Sequence, residues 1–417
     1  MKDCVAFYKQ QARACKLDVP WLQALKEEAL DVFTELGFPT RAVEDWKYTS
    51  TESFLKQQFI GNSSSIESSR PPVILDRAIL LINGVWRGLD EIDCPKGVLA
   101  MPLLEACRAY PQKMKAYLTA AQPAQDGFHW LNTAMLERGL FIYIPPHVSV
   151  SLHLSHWQDK ANQSVFSRQV VMLDEGSSLC LTEAFQGEAD LCYFTSAITE
   201  AFLSEKSTLT HYKMQCESTS AYHVGDLRVH QAGSSLLKSH SFSLGGHWVR
   251  SDTNIKLQAP KAQCFMNGVY VGMGKQHIDH HTEVIHEAPD CQSEQDYKGI
   301  LRGKARAVFN GRVRVEKEAV QTVAKQQNKN LLLSLGTEID TKPQLDIFAD
   351  DVICTHGATV GQLDEEALFY LATRGIDTAL ATQYLVQAFL VENMRAIEES
   401  TLLPWVSDLI TAWLEEA

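Results

Sequence analysis

Two stretches of this 417-residue chain carry residue types that could do chemistry. The first is Asp351-Val-Ile-Cys-Thr-His-Gly-Ala-Thr-Val-Gly361, which sets a thiol and an imidazole two residues apart in a β-rich run. Side chains alternate faces along a strand, so Val352, Cys354 and His356 share one side, and Ile353 and Thr355 the other. A thiolate beside an imidazole suits iron, zinc or copper. A buried free cysteine next to a hydrogen-bonded histidine is spelled the same way, because free cysteine packs as a small hydrophobe.

The second stretch is Lys275–Cys291, with His277, His280, His281, His286, several carboxylates and Cys291. Its count suggests a metal, but its spacing is weaker. On a strand His277, Asp279 and His281 take one face, and His280 and His286 the other. A mononuclear site needs ligands within about 2.0–2.3 Å of one point, and a straight strand spreads same-face positions by roughly 7 Å. Two readings stay open for it. One is a stand-alone metal-dependent β-helix or cupin-like enzyme using the 277–291 histidines. The other is a ladder of histidines bonded to neighbouring strands.

The elements that must position these residues are legible in outline. Leu22, Leu25, Ala29, Leu30 and Phe33 repeat at helical spacing and predict a helix from about Asp18 to Leu36, stopped by Gly37 and Pro39. Gly61–Pro72 reads as a polar linker, and Ala78–Arg87 as a hairpin turning at Asn83-Gly84. Helix returns from Leu103 to about Arg138, with breaks at Pro111 and Pro123.

From Gly139 to Gly361 short alternating runs replace it, and strands begin near Val148, Ser177, Ser207, Ser234 and Ala262. Several share a turn followed by Ser-Ser-Leu or Ser-Thr-Leu: Gly176–Leu179, Lys206–Leu209, Gly233–Leu236. A steady interval with no helix predicts a β-solenoid, since a β-sandwich has no reason to keep the spacing. Its two open ends predict caps, for which the flanking helical segments are candidates. After Gly361, Asp364 and Asp377 are N-caps of two helices and a third follows Pro404. Leu380, Tyr384, Leu385, Ala388 and Phe389 fall on roughly one face of the second. The expected organisation is an N-terminal helical domain with a small hairpin over 1–138, a β-helix core over 139–361, and a C-terminal helical domain over 362–417.

Composition narrows the function classes. A net charge of −13 argues against binding nucleic acid or an anionic membrane surface. Ten cysteines without a C-x-x-C pair read as reduced thiols, and the N-terminus has no apolar signal core, so the expected location is the cytoplasm. There is no G-x-x-x-x-G-K-[ST] phosphate loop, G-x-S-x-G elbow or G-x-G-x-x-G fingerprint.

Against this background, six stretches resemble one family. They are Glu44-Asp-Trp-Lys-Tyr-Thr49, His281–Leu301, Val308-Phe-Asn-Gly311, Gln326–Ser334, Thr341–Asp351 running into Cys354-Thr-His-Gly-Ala-Thr-Val-Gly361, and Leu368-Phe-Tyr-Leu with Arg374-Gly-Ile. Together they resemble the SufB/SufD family of iron–sulfur cluster assembly scaffolds. The Gly357–Gly361 spelling, where SufB chains carry Glu-Ala-Thr-Thr-Ser, places the likeness on the SufD branch.

The resemblance implies a mainly β fold: a right-handed parallel β-helix between helical domains. It implies a non-catalytic scaffold in a complex with SufB and the ATPase SufC, with a homodimer as the form in isolation. His356 falls on the family position linked to nascent cluster formation at the SufB interface, as a metal ligand shared with SufB residues, and Cys354 on a cysteine of the same motif. Phe369, Tyr370 and Arg374 fall on the helices that would dock SufC. No cofactor is expected to stay on this chain alone. A transient iron–sulfur cluster, and reduced FAD in the assembled complex, are what the resemblance associates with it.

Overall fold

The computed structural model of the chain describes residues 2–61, 78–87, 94–120, 126–399 and 401–415. The linker expected over 61–72 lies outside them except for Gly61. Sixteen strands from Arg138–Ile144 to Ile353–Gly361 alternate between two parallel sheets, making a solenoid of eight coils.

The spacing seen in the sequence comes from one corner of each coil. There a single residue takes a left-handed conformation: His147, Gly176, Lys206, Ser234, Lys261, Asp290, Gln321 and Asp351, all with φ between 55° and 64°. For a non-glycine residue this costs roughly 1–2 kcal/mol. A stacked bond offsets part of it, because each of these N–H groups but the last donates to a carbonyl of the next coil's corner, as in Gly176 to Glu205 and Gln321 to Asp351. The serine that follows, as at Ser177, Ser207 and Ser235, is buried and returns its hydroxyl to the carbonyl three residues earlier. That explains the Ser-Ser-Leu recurrence and corrects one frame of it. In the third unit the left-handed residue is Ser234, so the lumen leucine is Leu237 and not Leu236.

Pairing proceeds coil to coil without slippage, so inward residues line up in columns. One is wholly aliphatic for eight coils: Ile142, Val171, Ala201, Val229, Ile255, Val284, Val313, Leu345. The opposite side of the lumen is polar and internally paired. Glu183 accepts from His211 at 2.8 Å and from Gln169 at 2.9 Å, and His223 sits 2.7 Å from Glu217. Small residues make room for large ones between coils: a Cβ on Gly268 would lie 2.2 Å from the Tyr297 ring.

The outward faces carry the rest of the chain. Helices Lys2–Ala14, Pro20–Leu36 and Gly127–Ala134 lay Tyr8, Phe33 and Phe128 against Phe166, Phe194, Tyr222 and Trp248 of one sheet. Helices Thr378–Arg395 and Leu402–Glu415 bury Val386, Leu390, Val406, Ile410 and Trp413 on the other. No helix among the described residues is long and apolar enough to cross a membrane.

The caps differ from the expectation. The first coil is covered by strands: the hairpin Ile79–Ile82 and Val85–Arg87, turning at Asn83-Gly84, extends one sheet, and Leu99–Pro102 extends the other. The C-terminal helices run along a flank, and among the described residues no strand covers the last coil. One end of the solenoid is closed and the other is open.

Candidate functional site at the open end of the solenoid

The last coil consists of Glu338–Ile347 and Ile353–Gly361, each paired on one side only. Cys354 ends the lumen column of Leu179, Leu209, Leu237, Cys264, Ser293 and Ala324. His356 ends the column of Leu181, His211, Ser239, Met266, Gln295 and Gln326. Every earlier member of both columns is buried, yet Cys354 is half-buried and His356 exposed. They emerge because no ninth coil follows.

The rim is apolar. Ile347, Phe348, Ile353 and Val360 are exposed around the end, and Leu335 stands 97% exposed on the turn before the last coil. Val352, expected on the Cys354 side, packs with Cys354 against Val313, Ala324 and Ala349. Burial pushes the Cys354 thiol up, which keeps it protonated at neutral pH until a metal or base displaces the proton.

Directly after this coil comes helix Glu365–Thr373, N-capped by Asp364, which accepts from the N–H groups of Glu366 and Ala367. It buries none of its residues, and Phe369 is 73% exposed. Arg374 lies over the Tyr370 ring at 5.2 Å and donates to its hydroxyl at 3.2 Å. In Thr378–Arg395 the buried face is Ala381, Val386, Leu390 and Asn393, which leaves Leu380 and Tyr384 exposed beside it.

The 277–291 histidines do not converge. His277 meets the Thr49 hydroxyl at 2.9 Å, and His281 meets Asp279 at 3.0 Å, both on the outer face. His280 stacks on Tyr270 with ring centroids 5.2 Å apart, and His286 meets Ser293 Oγ at 2.9 Å, both inside. Cys291 turns its Sγ to the carbonyl of Ala259. Among the described residues no group of three or more His, Cys, Asp or Glu is placed to hold a metal ion. The ladder reading fits only in part: His280 and His286 meet other strands of the solenoid, whereas His277 meets the N-terminal segment and His281 its own strand.

Their partners show why Glu44–Thr49 matters. Arg250, 2% exposed, donates to Asp279 at 2.7 Å and to the Asp45 carbonyl at 2.8 Å, and lies 4.5 Å over the Trp46 ring. Thr49 donates to Asp279 as well. Burial alone would raise the Asp279 carboxyl, but Arg250 and His281 overcome it and hold it well below the usual carboxylate range. This knot ties the N-terminal segment to the solenoid. Replacing Arg250 with methionine is expected to destabilise the protein by about 3–5 kcal/mol by stranding a buried carboxylate. A urea denaturation midpoint checks it, and an unchanged midpoint would show the knot to be decoration.

A cleft of about 410 Å³ lies beside the knot, between Trp46, Phe128 and the outer face of the sheet. Its guanidiniums are committed to neighbours, Arg228 to Asp226, Arg250 to Asp252 and Arg312 to Asp346. The exposed chemistry is at the open end.

The model described as the SUF system FeS cluster assembly SufBD core domain matches residues 156–389, and the SufBD protein N-terminal region matches 1–154. The chain belongs to the SufBD family. Within the SufBD family it is SufD-like. It is 30% identical over 388 residues to the iron–sulfur cluster assembly protein SufD of Escherichia coli, covering 90% of this chain and 89% of that one. A chloroplastic protein of Arabidopsis thaliana, ABCI7, is 32% identical over 388 residues, with 88% and 81% covered. A SufBD family protein of Synechocystis is 25% identical over 414 residues, with 94% and 91% covered.

Proposed function

We propose that this chain is a non-catalytic scaffold subunit of a cytoplasmic complex with SufB and the ATPase SufC, and that iron–sulfur clusters are assembled where its open end meets SufB. One observation carries the proposal. Two lumen columns, buried through six coils, end as an exposed imidazole and a half-exposed thiol on an uncovered solenoid end with an apolar rim. A bare parallel edge is an aggregation hazard unless something covers it, and a second solenoid end is the natural cover.

His356 would then supply one ligand to a nascent cluster, and SufB the others, with Cys354 beside it. The cluster is cargo. All-thiolate sites hold their clusters as residents, whereas a site split between two chains opens when they part.

Helix Glu365–Thr373 follows the His356 strand after the three residues 362–364. Its unburied Phe369 and Tyr370 with Arg374 offer an aromatic and cationic surface to SufC, of the composition that dominates interface energetics. Movement of that helix on ATP binding would reach the open end through a short hinge.

Co-expression with SufB and SufC tests this reading. The three chains should co-elute carrying iron and acid-labile sulfide, and failure to co-purify would sink it. A Phe369→Glu, Tyr370→Glu pair is expected to shed SufC while keeping SufB. Loss of two interface anchors at about 2 kcal/mol each weakens binding by roughly a thousandfold. SufC retained at wild-type stoichiometry would move the docking surface elsewhere.

A further inference from the structure

His356 ends a lumen column, and the residue one rung beneath it is Gln326. Gln326 is 1% exposed. Its amide nitrogen donates to Gln295 Oε1 at 3.3 Å, and that oxygen also takes the Thr282 hydroxyl at 2.7 Å. Gly311 on the facing sheet makes room for the amide, since a Cβ there would lie 2.2 Å from the Gln326 nitrogen. The remaining atom, Gln326 Oε1, is buried and has no hydrogen-bond partner among the described residues.

A buried carbonyl left without a donor costs about 1–3 kcal/mol. Gln295 Nε2, on the rung below, is also buried without a partner, but Gln295 already meets Gln326 through its oxygen. Thr341, across the lumen, has given its hydroxyl proton to Asn328 Oδ1 at 2.9 Å. Cys354 and Ala358 flank His356 on the same face of its strand. His356 is on the next rung of the same column, about 4.8 Å away strand to strand; its exposed imidazole is not yet bonded to Gln326 Oε1 and becomes its donor when the ring turns inward.

We infer that Gln326 is the positioning residue for His356: Gln326 Oε1 accepts the N–H of one ring nitrogen, fixing the tautomer and turning the other nitrogen's lone pair out of the open end. Histidines that bind metals work in this way, the ring N–H remote from the metal being anchored to an acceptor that sets the ring's orientation and basicity. The inference rests on the reading of His356 as a shared ligand and names what prepares it before any partner arrives. It also gives Gln326 a reason to be an amide, where Met266, two coils earlier in that column, is apolar.

The test uses the full-length chain with ¹⁵N-labelled imidazole rings, free of cluster and partner, and assigns His356 by the signal lost in His356→Ala. Wild type is expected to show one His356 tautomer. Gln326→Met, similar in length but without an acceptor, should lose that signature and give an averaged mixture. Gln326→Glu should keep one tautomer and shift its protonated nitrogen, because a carboxylate is the stronger acceptor. Unchanged ring signals from buried His280 and His286 report an intact fold. Identical His356 signals in wild type and Gln326→Met overturn the inference, as does an unshifted nitrogen in Gln326→Glu. Because no cluster is involved, this result and the cluster yield of His356→Ala stand or fall separately.

Discussion

Stability is expected to fall steeply as the pH drops from about 6.5 towards 4. Burial, which disfavours the charged ring, pushes the imidazoles of His156, His240 and His286 down to about 4 and that of His280 to about 3. In the unfolded chain each titrates near 6.5. Between those values the unfolded state binds protons that the folded state refuses, so stability is present above the unfolded value and is lost as the pH falls. Each such proton is worth about 1.4 kcal/mol per pH unit, and four give roughly 5–6 kcal/mol per unit.

Asp126 acts with the opposite sign. Burial and the nearby Asp252 raise its carboxyl to about 6, so the folded state takes up one proton early and offsets about a quarter of the slope. Glu183 adds to the loss at lower pH. Burial would raise its carboxyl, but His211 overcomes that and brings it down to about 2, so its contribution fades as the pH falls below the ordinary carboxylate range. A net slope near 4 kcal/mol per unit is comparable with the whole stability of a domain within about two pH units. Urea midpoints at about pH 7, 6 and 5 should fall in order. A flat series would mean that these buried histidines are already solvated or charged.

Much of this architecture was legible before any coordinates. The interval of the solenoid was visible because a left-handed corner followed by a back-bonded serine leaves a spelling, as at Gly176-Ser177 and Lys206-Ser207. It slipped by one residue at Ser234 because Gly233 stands just before it and takes the place that Gly176 holds in the earlier unit. The hairpin at Asn83-Gly84 was legible for the same local reason, but its use as a cap was not. Capping depends on which coil the hairpin pairs with, a contact between residues 79 and 154.

The site divides in the same way. Cys354 and His356 could be placed on one face of a strand from period two alone. Their exposure could not, because the same face is buried at Ala324 and Gln326 one coil earlier. Helix Thr378–Arg395 misled because it is apolar on more than one side, and burial fell to Ala381, Val386 and Leu390 rather than to Leu380 and Tyr384. Asn393 decides that face, donating to the Asp296 carbonyl while its own carbonyl accepts from Asn267. The unmet acceptor of Gln326 left no mark in the sequence, since it arises from stacking against Gln295 and His356.

The second large effect concerns His356. Its side chain is exposed and its removal creates no cavity, so His356→Ala is expected to leave the fold and the paired edges intact. On the proposed shared-site reading it removes one donor atom from a site that has few, and a cluster site missing a ligand loses occupancy rather than shape. Cys354 stands in the neighbouring column, so its thiol does not take the place the imidazole leaves. A chain acting only as a structural platform, alone or as a pair of copies, would tolerate the change.

The decisive measurement is therefore the iron and acid-labile sulfide bound per complex when His356→Ala is co-expressed with SufB and SufC. The expected result is a complex of wild-type stoichiometry that has lost most of its cluster. A complex of the same stoichiometry with an unchanged cluster yield would contradict the shared-site account.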